Sequence, residues 1–159
     1  MRSHFVAARF TPGESLMTER TVRQIIEGQE PVTAPASTTV SEAARLMKER
    51  NVGALMVLEG EKLAGVFTDR DGLFRVLAEG LGGDTPLSAV MTVNPRTIDP
   101  ESRFTDALQM MHDGRYRHLP VVEDGRVIGI VSVRDALGPE LEAFVYEMLR
   151  QEQIGEVLA

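Results

Sequence analysis

Two stretches of this chain match each other at a fixed distance of 64 residues, and the match needs no gap. Gly65-Val-Phe-Thr-Asp-Arg-Asp71 is repeated as Gly129-Ile-Val-Ser-Val-Arg-Asp135. The same shift aligns Pro31 with Pro95, Thr33 with Thr97, Ala43 with Ala107, Met47 with Met111, Leu55 with Leu119 and Val57 with Val121. A match at a constant period indicates two copies of one supersecondary unit. Two copies are too few for a solenoid, so we expect them to pack on each other as a pair.

Each copy predicts the same order of elements, a β-α-β-β-α unit that follows a short helix. In the first copy, Thr39 and Glu42 fit a capping box, and the apolar residues after Thr39 recur at helical spacing. Two apolar runs, 54–58 and 63–67, are joined by four residues and predict a buried antiparallel hairpin. Thr68 then opens a helix to about Glu79. The apolar side of that helix is predicted to comprise Leu73, Phe74, Val76 and Leu77.

The second copy repeats this order with one difference, because Pro120 lies inside its first hairpin strand. Proline has no N–H to donate, so one side of that strand should stay unpaired there, as at the edge of a sheet. The predicted fold class is therefore α/β (α+β), with two tandem repeats.

The predicted boundaries follow from the repeat. Residues 21–83 form the first repeat and residues 84–137 the second, with a linker that contains Gly80, Gly82 and Gly83. Residues 1–20 are expected to be a flexible tail. Residues 138–159 predict a C-terminal helix with an apolar stripe, since Pro139 suits a first helical position. This helix is expected either to cover the repeat pair or to meet a second chain.

Composition limits the possible partners. The net charge of −7 argues against nucleic acid or an anionic membrane surface, because phosphate groups attract a basic field. No apolar run approaches the roughly 18 residues of a membrane span, and residues 1–16 do not resemble a signal peptide. The chain contains no cysteine, which excludes thiolate chemistry and disulfides and leaves the cytoplasm as the expected compartment.

The duplicated strands and turns resemble cystathionine-β-synthase (CBS) domains. The residues that carry the resemblance are Ala54-Leu-Met-Val-Leu with Gly65-Val-Phe-Thr-Asp-Arg-Asp71, and His118-Leu-Pro-Val-Val with Gly129-Ile-Val-Ser-Val-Arg-Asp135. The resemblance covers about 22–137 and departs from the family at Met56, where the second copy has the more typical Pro120. A tandem pair, or Bateman module, implies two repeats about a pseudo-twofold axis with clefts for adenine nucleotides between them. Such pairs commonly stack as homodimers into a disk of four repeats.

The resemblance also implies roles for individual residues. Asp71 and Asp135 would accept hydrogen bonds from ribose hydroxyls, and Thr68 and Ser132 would contact ribose or phosphate. An adenine slot would be lined by Val66 and Ile130 with Val57 and Val121, and completed by Thr38, Ser102, Ala43 and Ala107. Arg117 and His118 match a phosphate-facing pair, and Arg134 lies in the turn beside Asp135. AMP is the first candidate ligand, with ATP, ADP, NAD and S-adenosylmethionine as alternatives.

Two of these features have a purely structural alternative. A hydroxyl followed three residues later by a carboxylate, as at Thr68 and Asp71, is a capping arrangement in its own right and is compatible with anion binding. Gly65 and Gly129 lie inside strands, where glycine indicates either close packing or close approach to a ligand, and we favour packing.

The two clefts are predicted to be unequal. The first copy has Gly53 and Ala54 where the second has Arg117 and His118. Arginine offers forked donors to phosphate, so the cleft that contains Arg117 and His118 should hold phosphates more tightly.

The sequence thus predicts a regulatory module that binds an adenine nucleotide, has no catalysis of its own and acts on an unidentified protein partner. It contains no recognisable catalytic set, and its three histidines lack a metal-binding spacing, so no metal is expected. The alternative is a structural or interaction module whose nucleotide clefts are vestigial.

Overall fold

The computed structural model of the protein describes residues 20–137. Both copies contain a short leading helix, a longer helix, a hairpin and a terminal helical turn. The first copy comprises α1 (Val22–Ile26), β1 (Thr33–Pro35), α2 (Val40–Arg50), β2 (Ala54–Glu59), β3 (Lys62–Thr68) and α3 (Asp69–Asp71), which continues as a π-helix (Gly72–Leu77). The second comprises α4 (Leu87–Val90), β4 (Thr92–Val93), α5 (Phe104–Gly114), β5 (His118–Glu123), β6 (Arg126–Ser132) and a 3₁₀ helix (Val133–Leu137).

The two hairpins have the same register. Val57 pairs with Gly65 in the first hairpin, and Val121 pairs with Gly129 in the second. Each hairpin then shifts register at the next residue, so the irregularity recurs at the repeat distance. The predicted fold class and the predicted hairpins are therefore confirmed.

The sheets of the two copies differ at Pro120. In the first copy, β1 pairs in parallel with β2, and the Met56 N–H donates to the Val32 carbonyl at 2.9 Å. Pro120 occupies the position of Met56 and has no N–H for the corresponding bond. The second copy keeps only an isolated parallel bridge between Ile98 and Val121. The loss of one N–H donor at Pro120 thus accounts for the single bridge of the second copy, where the first copy has a three-residue strand.

Each leading helix packs against the hairpin of the other copy. Val22 and Ile26 of α1 are buried in the core built around Phe104, Ala107 and Met111. Conversely, Leu87 and Val90 of α4 are buried in the core of the first copy, with Ala43, Met47 and Phe67. The Val22 N–H donates to the Ser102 carbonyl, and the Leu87 N–H donates to the Thr38 carbonyl, both at 2.9 Å. This reciprocal exchange ties the two copies into one unit.

A third apolar cluster joins the hairpins directly. Ala54, Met56 and Val66 are buried in it, with Val127 and Ile130 of the second copy packed against them. The two hairpins therefore face each other, as a pseudo-twofold pair requires.

The helix after Thr68 differs from its prediction. It begins at Asp69 and passes into a π-helix that ends at Leu77, instead of continuing to Glu79. Only Val76 of the predicted apolar side is buried, whereas Leu73 and Phe74 are about half exposed and Leu77 is 71% exposed. The wider π turn changes the angular spacing of side chains, so an α-helical stripe does not describe the buried face.

The predicted tail, up to residue 19, and the predicted C-terminal helix lie outside the described residues. Within residues 20–137, no helix is long and apolar enough to span a bilayer.

Candidate functional site

A large cleft lies between the turn of the first copy and the start of the second hairpin. Its volume is about 680 Å³, which is within the usual range for small-molecule sites. The first copy contributes Val66, Thr68, Arg70, Asp71, Phe74 and Arg75. The second contributes Thr92, Asn94, Pro95, Arg96, Gly114, Arg115, Tyr116, Arg117 and His118. Five arginines and a single carboxylate among these residues make the cleft basic within an acidic protein.

Asp71 is held at the cleft by its own helix. The Thr68 N–H and hydroxyl both donate to Asp71 Oδ2 at 2.9 Å, and the Asp71 N–H donates to Thr68 Oγ1 at 3.2 Å. Arg75 Nε lies 3.4 Å from Asp71 Oδ1, and its guanidinium also donates to the Val90 and Met91 carbonyls. The predicted capping box is therefore present. It also fixes a carboxylate that is 13% exposed on the cleft wall.

Arg117 and His118 of the second copy line the same cleft. Arg117 Nη2 lies 3.2 Å from Asp69 Oδ1, next to the turn of the first copy. Burial lowers the pKa of His118 below its ordinary value, the Asp69 carboxylate raises it, and the Arg117 guanidinium lowers it further. His118 is therefore neutral near pH 7 in the free protein. An anion bound beside it would favour the protonated form and raise its pKa.

Ten of the fifteen cleft residues were not among the predicted site residues, and three of these ten, all in the second copy, add positive charge or a buried hydroxyl. Arg96 follows Pro95, Arg115 caps the C-terminus of α5, and the Tyr116 hydroxyl is buried without a hydrogen-bond partner within residues 20–137. A signal for the first two was present in the repeat, because the aligned residues of the first copy, Val32 and Asn51, are neutral.

The predicted residues of the second turn occupy different surroundings. The Ser132 N–H donates to Asp135 Oδ2 at 2.6 Å, but Asp135 does not line the large cleft. Ser132 and Arg134 line a space of only about 50 Å³, together with Arg117 and His118. Arg134 also lines an open groove of about 420 Å³ beside α2. The two turns thus differ in the space beside them, and a ribose role for Asp135 stays a prediction.

Four predicted slot residues belong to the apolar cores. Ala43 and Val57 have no exposed surface and pack in the core of the first copy, and Ala107 and Val121 do the same in the core of the second. None of the four lines the clefts described above. Ile130 packs in the cluster between the hairpins, and the carbonyls of Thr38 and Ser102 hold the exchanged helices.

The arrangement is suited to binding an anion with a polar, hydroxyl-bearing group attached. The carboxylate of Asp71 can accept from hydroxyls, and the guanidinium groups on the opposite wall can donate to phosphate oxygens. Within residues 20–137, no three histidine, aspartate or glutamate side chains cluster closely enough to hold a metal ion.

Comparison with known proteins places these observations in a family. The CBS domain model matches residues 22–77 and 87–139. CBS domain-containing protein CBSCBSPB1 of Arabidopsis thaliana is 41% identical over 121 residues, which cover 75% of this chain and 22% of that protein. The chain thus spans about a fifth of the length of that relative.

A shorter relative and a solved structure extend the comparison. CBS domain-containing protein YhcV of Bacillus subtilis is 41% identical over 103 residues, or 65% of this chain and 74% of that protein. The CBS domain protein PAE2072 from Pyrobaculum aerophilum, solved in complex with AMP, has a TM-score of 0.68 at 24% identity. That match covers 78% of this chain and 99% of the other, and it shows a common fold.

Proposed function

The chain belongs to the CBS-domain family, and on this premise we propose that it is a regulatory module that binds an adenine nucleotide in the cleft of about 680 Å³. One observation carries the proposal: the capped carboxylate of Asp71 and the phosphate-facing pair Arg117 and His118 line the same cleft from different copies. Ribose would bind at Asp71, and phosphate at the basic wall. AMP bound to PAE2072, a protein of the same fold, is a precedent for this ligand class.

Regulation would follow from the position of the cleft between the copies. A nucleotide that contacts Asp71 and Arg117 together favours the arrangement in which both are within reach. A ligand shifts a conformational equilibrium by its difference in affinity for the two states, and a partner protein can read that shift. No catalytic step is part of this proposal. A cytoplasmic location is part of it, since nucleotides and their regulated enzymes are abundant there.

Substituting Asp71 by Asn tests the ribose contact. The amide keeps an acceptor for the Thr68 cap but loses the negative charge, so we expect AMP or ATP to bind about tenfold more weakly or worse. Isothermal titration calorimetry measures the change. The matched control is Glu42→Gln, because Glu42 makes the same capping box with Thr39 outside the cleft.

The control should lose a little helix stability and keep its nucleotide affinity. Equal affinities for wild type and Asp71→Asn would contradict the ribose assignment. A thermal-shift screen with AMP, ATP, NAD and S-adenosylmethionine tests the premise, since any bound ligand raises the melting temperature. If none does, the interaction module with vestigial clefts becomes the better description.

We also propose that the protein is a homodimer that uses the exposed apolar side of the π-helix. Leu73 is 53% and Leu77 is 71% exposed, with the half-exposed Val93 of β4 as a further apolar residue. Burying such side chains against a second copy removes apolar surface from water. This arrangement fits the disk of four repeats that the family resemblance implies.

Leu77→Lys should convert the dimer to a monomer, because a charge would then enter an apolar interface. Light scattering with size-exclusion chromatography measures the mass of each species. Leu81→Lys is the control, since Leu81 is 45% exposed but lies beyond the π-helix. A monomeric wild-type protein would contradict the proposal.

A further inference from the structure

Most of the positive charge of the cleft comes from the second copy, which supplies three of its five arginines. The second copy places Arg96, Arg115, Arg117 and His118 on the cleft wall. The 64-residue shift aligns them with Val32, Asn51, Gly53 and Ala54, all neutral. Three positions that change from a neutral residue to arginine at one cleft, with His118 beside them, indicate that the second copy is specialised for a strongly negative ligand.

Two of these arginines have no partner within the described part of the chain. Arg117 pairs with Asp69, and Arg75 pairs with Asp71. The side chains of Arg96 and Arg115 make no hydrogen bond, ion pair or ring contact with any of residues 20–137, and both residues line the cleft. Two unpaired guanidinium groups on the wall of one cleft repel each other, so an anion bound in that cleft would be favoured.

Arg115 also occupies an unusual backbone conformation. Its φ and ψ are 56° and 37°, the left-handed region, where glycine and asparagine are favoured. The aligned residue of the first copy is Asn51, at 53° and 46°. The glycine of this stretch, Gly114, is the last residue of α5 and does not occupy the left-handed position. The Tyr116 ring packs against Gly114 and leaves no room for a Cβ there. An arginine in a backbone conformation that favours glycine or asparagine is expected where its side chain is needed for binding.

We propose that Arg96 and Arg115 are specificity-determining residues that select nucleotides with two or more phosphates over a monophosphate. The inference rests on the proposed function of the same cleft. Arg117 and His118 suffice for the first phosphate, and each further phosphate adds negative charge that the two unpaired arginines can meet. Arginine donates in pairs to phosphate oxygens, which suits this task.

The test replaces each arginine by the residue of the first copy, as Arg96→Val and Arg115→Asn. Calorimetry with AMP, ADP and ATP should show that wild type binds ATP at least about tenfold more tightly than AMP. Each variant should lose about tenfold or more of its ATP affinity and keep its AMP affinity within about threefold. Arg115→Asn should fold at least as well as wild type, since asparagine tolerates the left-handed conformation.

Arg126→Gln is the matched control, because Arg126 pairs with Glu61 at the hairpin turns and does not line the cleft. It should leave all three affinities unchanged. Inorganic triphosphate should compete with ATP in wild type and lose this ability in both variants. If AMP binds as tightly as ATP, or if the variants weaken both equally, this inference is wrong while the proposed function survives. If no adenine nucleotide binds, both are wrong.

Discussion

The double variant Arg117→Gly and His118→Ala should weaken adenine-nucleotide binding by more than about a hundredfold. Both changes restore the residues of the first copy, Gly53 and Ala54. Each removed side chain is proposed to donate a charge-assisted hydrogen bond to phosphate, and each such bond contributes about 1.5–3 kcal/mol. Two of them therefore exceed the roughly 2.8 kcal/mol that corresponds to a hundredfold change in affinity. Calorimetric titration with AMP and ATP measures the loss.

The fold should survive this double variant. The Arg117–Asp69 ion pair is about half exposed on both sides, and such pairs contribute only about 0–1 kcal/mol to stability. Circular dichroism and a melting curve check that the variant is folded before titration. A folded double variant with wild-type affinity would show that the basic wall is only a solvated surface, and the phosphate assignment would be lost.

The pH dependence of binding provides a second readout of His118. Burial holds the pKa of His118 below about 6.5 in the free protein, and a phosphate beside it would raise that pKa. Binding would then take up a proton, so affinity should rise as the pH falls from the raised pKa of the complex towards the lowered pKa of the free protein. The phosphate itself also titrates near pH 6, so the informative quantity is the difference between wild type and His118→Ala. Parallel profiles would exclude a phosphate contact for His118.

Much of the fold could be predicted because its signals are local and duplicated. Capping residues such as Thr39 and Glu42 define a helix start by themselves, and the apolar runs define the hairpins. The exchange of the leading helices could not be predicted, because an apolar helix face can pack equally well against the core of either copy. Val22 could equally have packed within its own copy, but it is buried in the other.

Part of the candidate site could be predicted, again because its signals are local in the sequence. Thr68, Asp71, Arg117 and His118 were found through local motifs, and they line one cleft. Arg115 belongs to no local motif, and it reaches the cleft only because α5 ends there. Val57 is the opposite case: a motif position predicted that it lines a slot, whereas the alternation of the strand buries its side chain in the core.

The strand glycines explain how the exchanged helices can dock, and Gly65→Ala should lower the free energy of unfolding by about 1–3 kcal/mol. An added Cβ at Gly65 would lie 2.5 Å from Met91 Sδ, just after α4, and 2.8 Å from the Thr92 carbonyl oxygen. The sulfur can turn away, but Thr92 is fixed because β4 pairs with β3. The packing interpretation of these glycines is thereby confirmed. The melting temperature should fall by roughly 2–4 °C for each kcal/mol of unfolding free energy that is lost.

Gly129 repeats the arrangement, since an added Cβ there would lie 2.9 Å from Ile26 Cβ, in the last residue of α1. Gly129→Ala should therefore destabilise the fold to a similar extent. Gly72→Ala is the matched control, because its new Cβ would lie 3.6 Å from Phe67 and its φ of −58° is helical. Alanine there should be neutral or stabilising by up to about 1 kcal/mol. Equal stability of all three variants would mean that the helices do not need these glycines, and that glycine was retained in both strands for some reason other than docking.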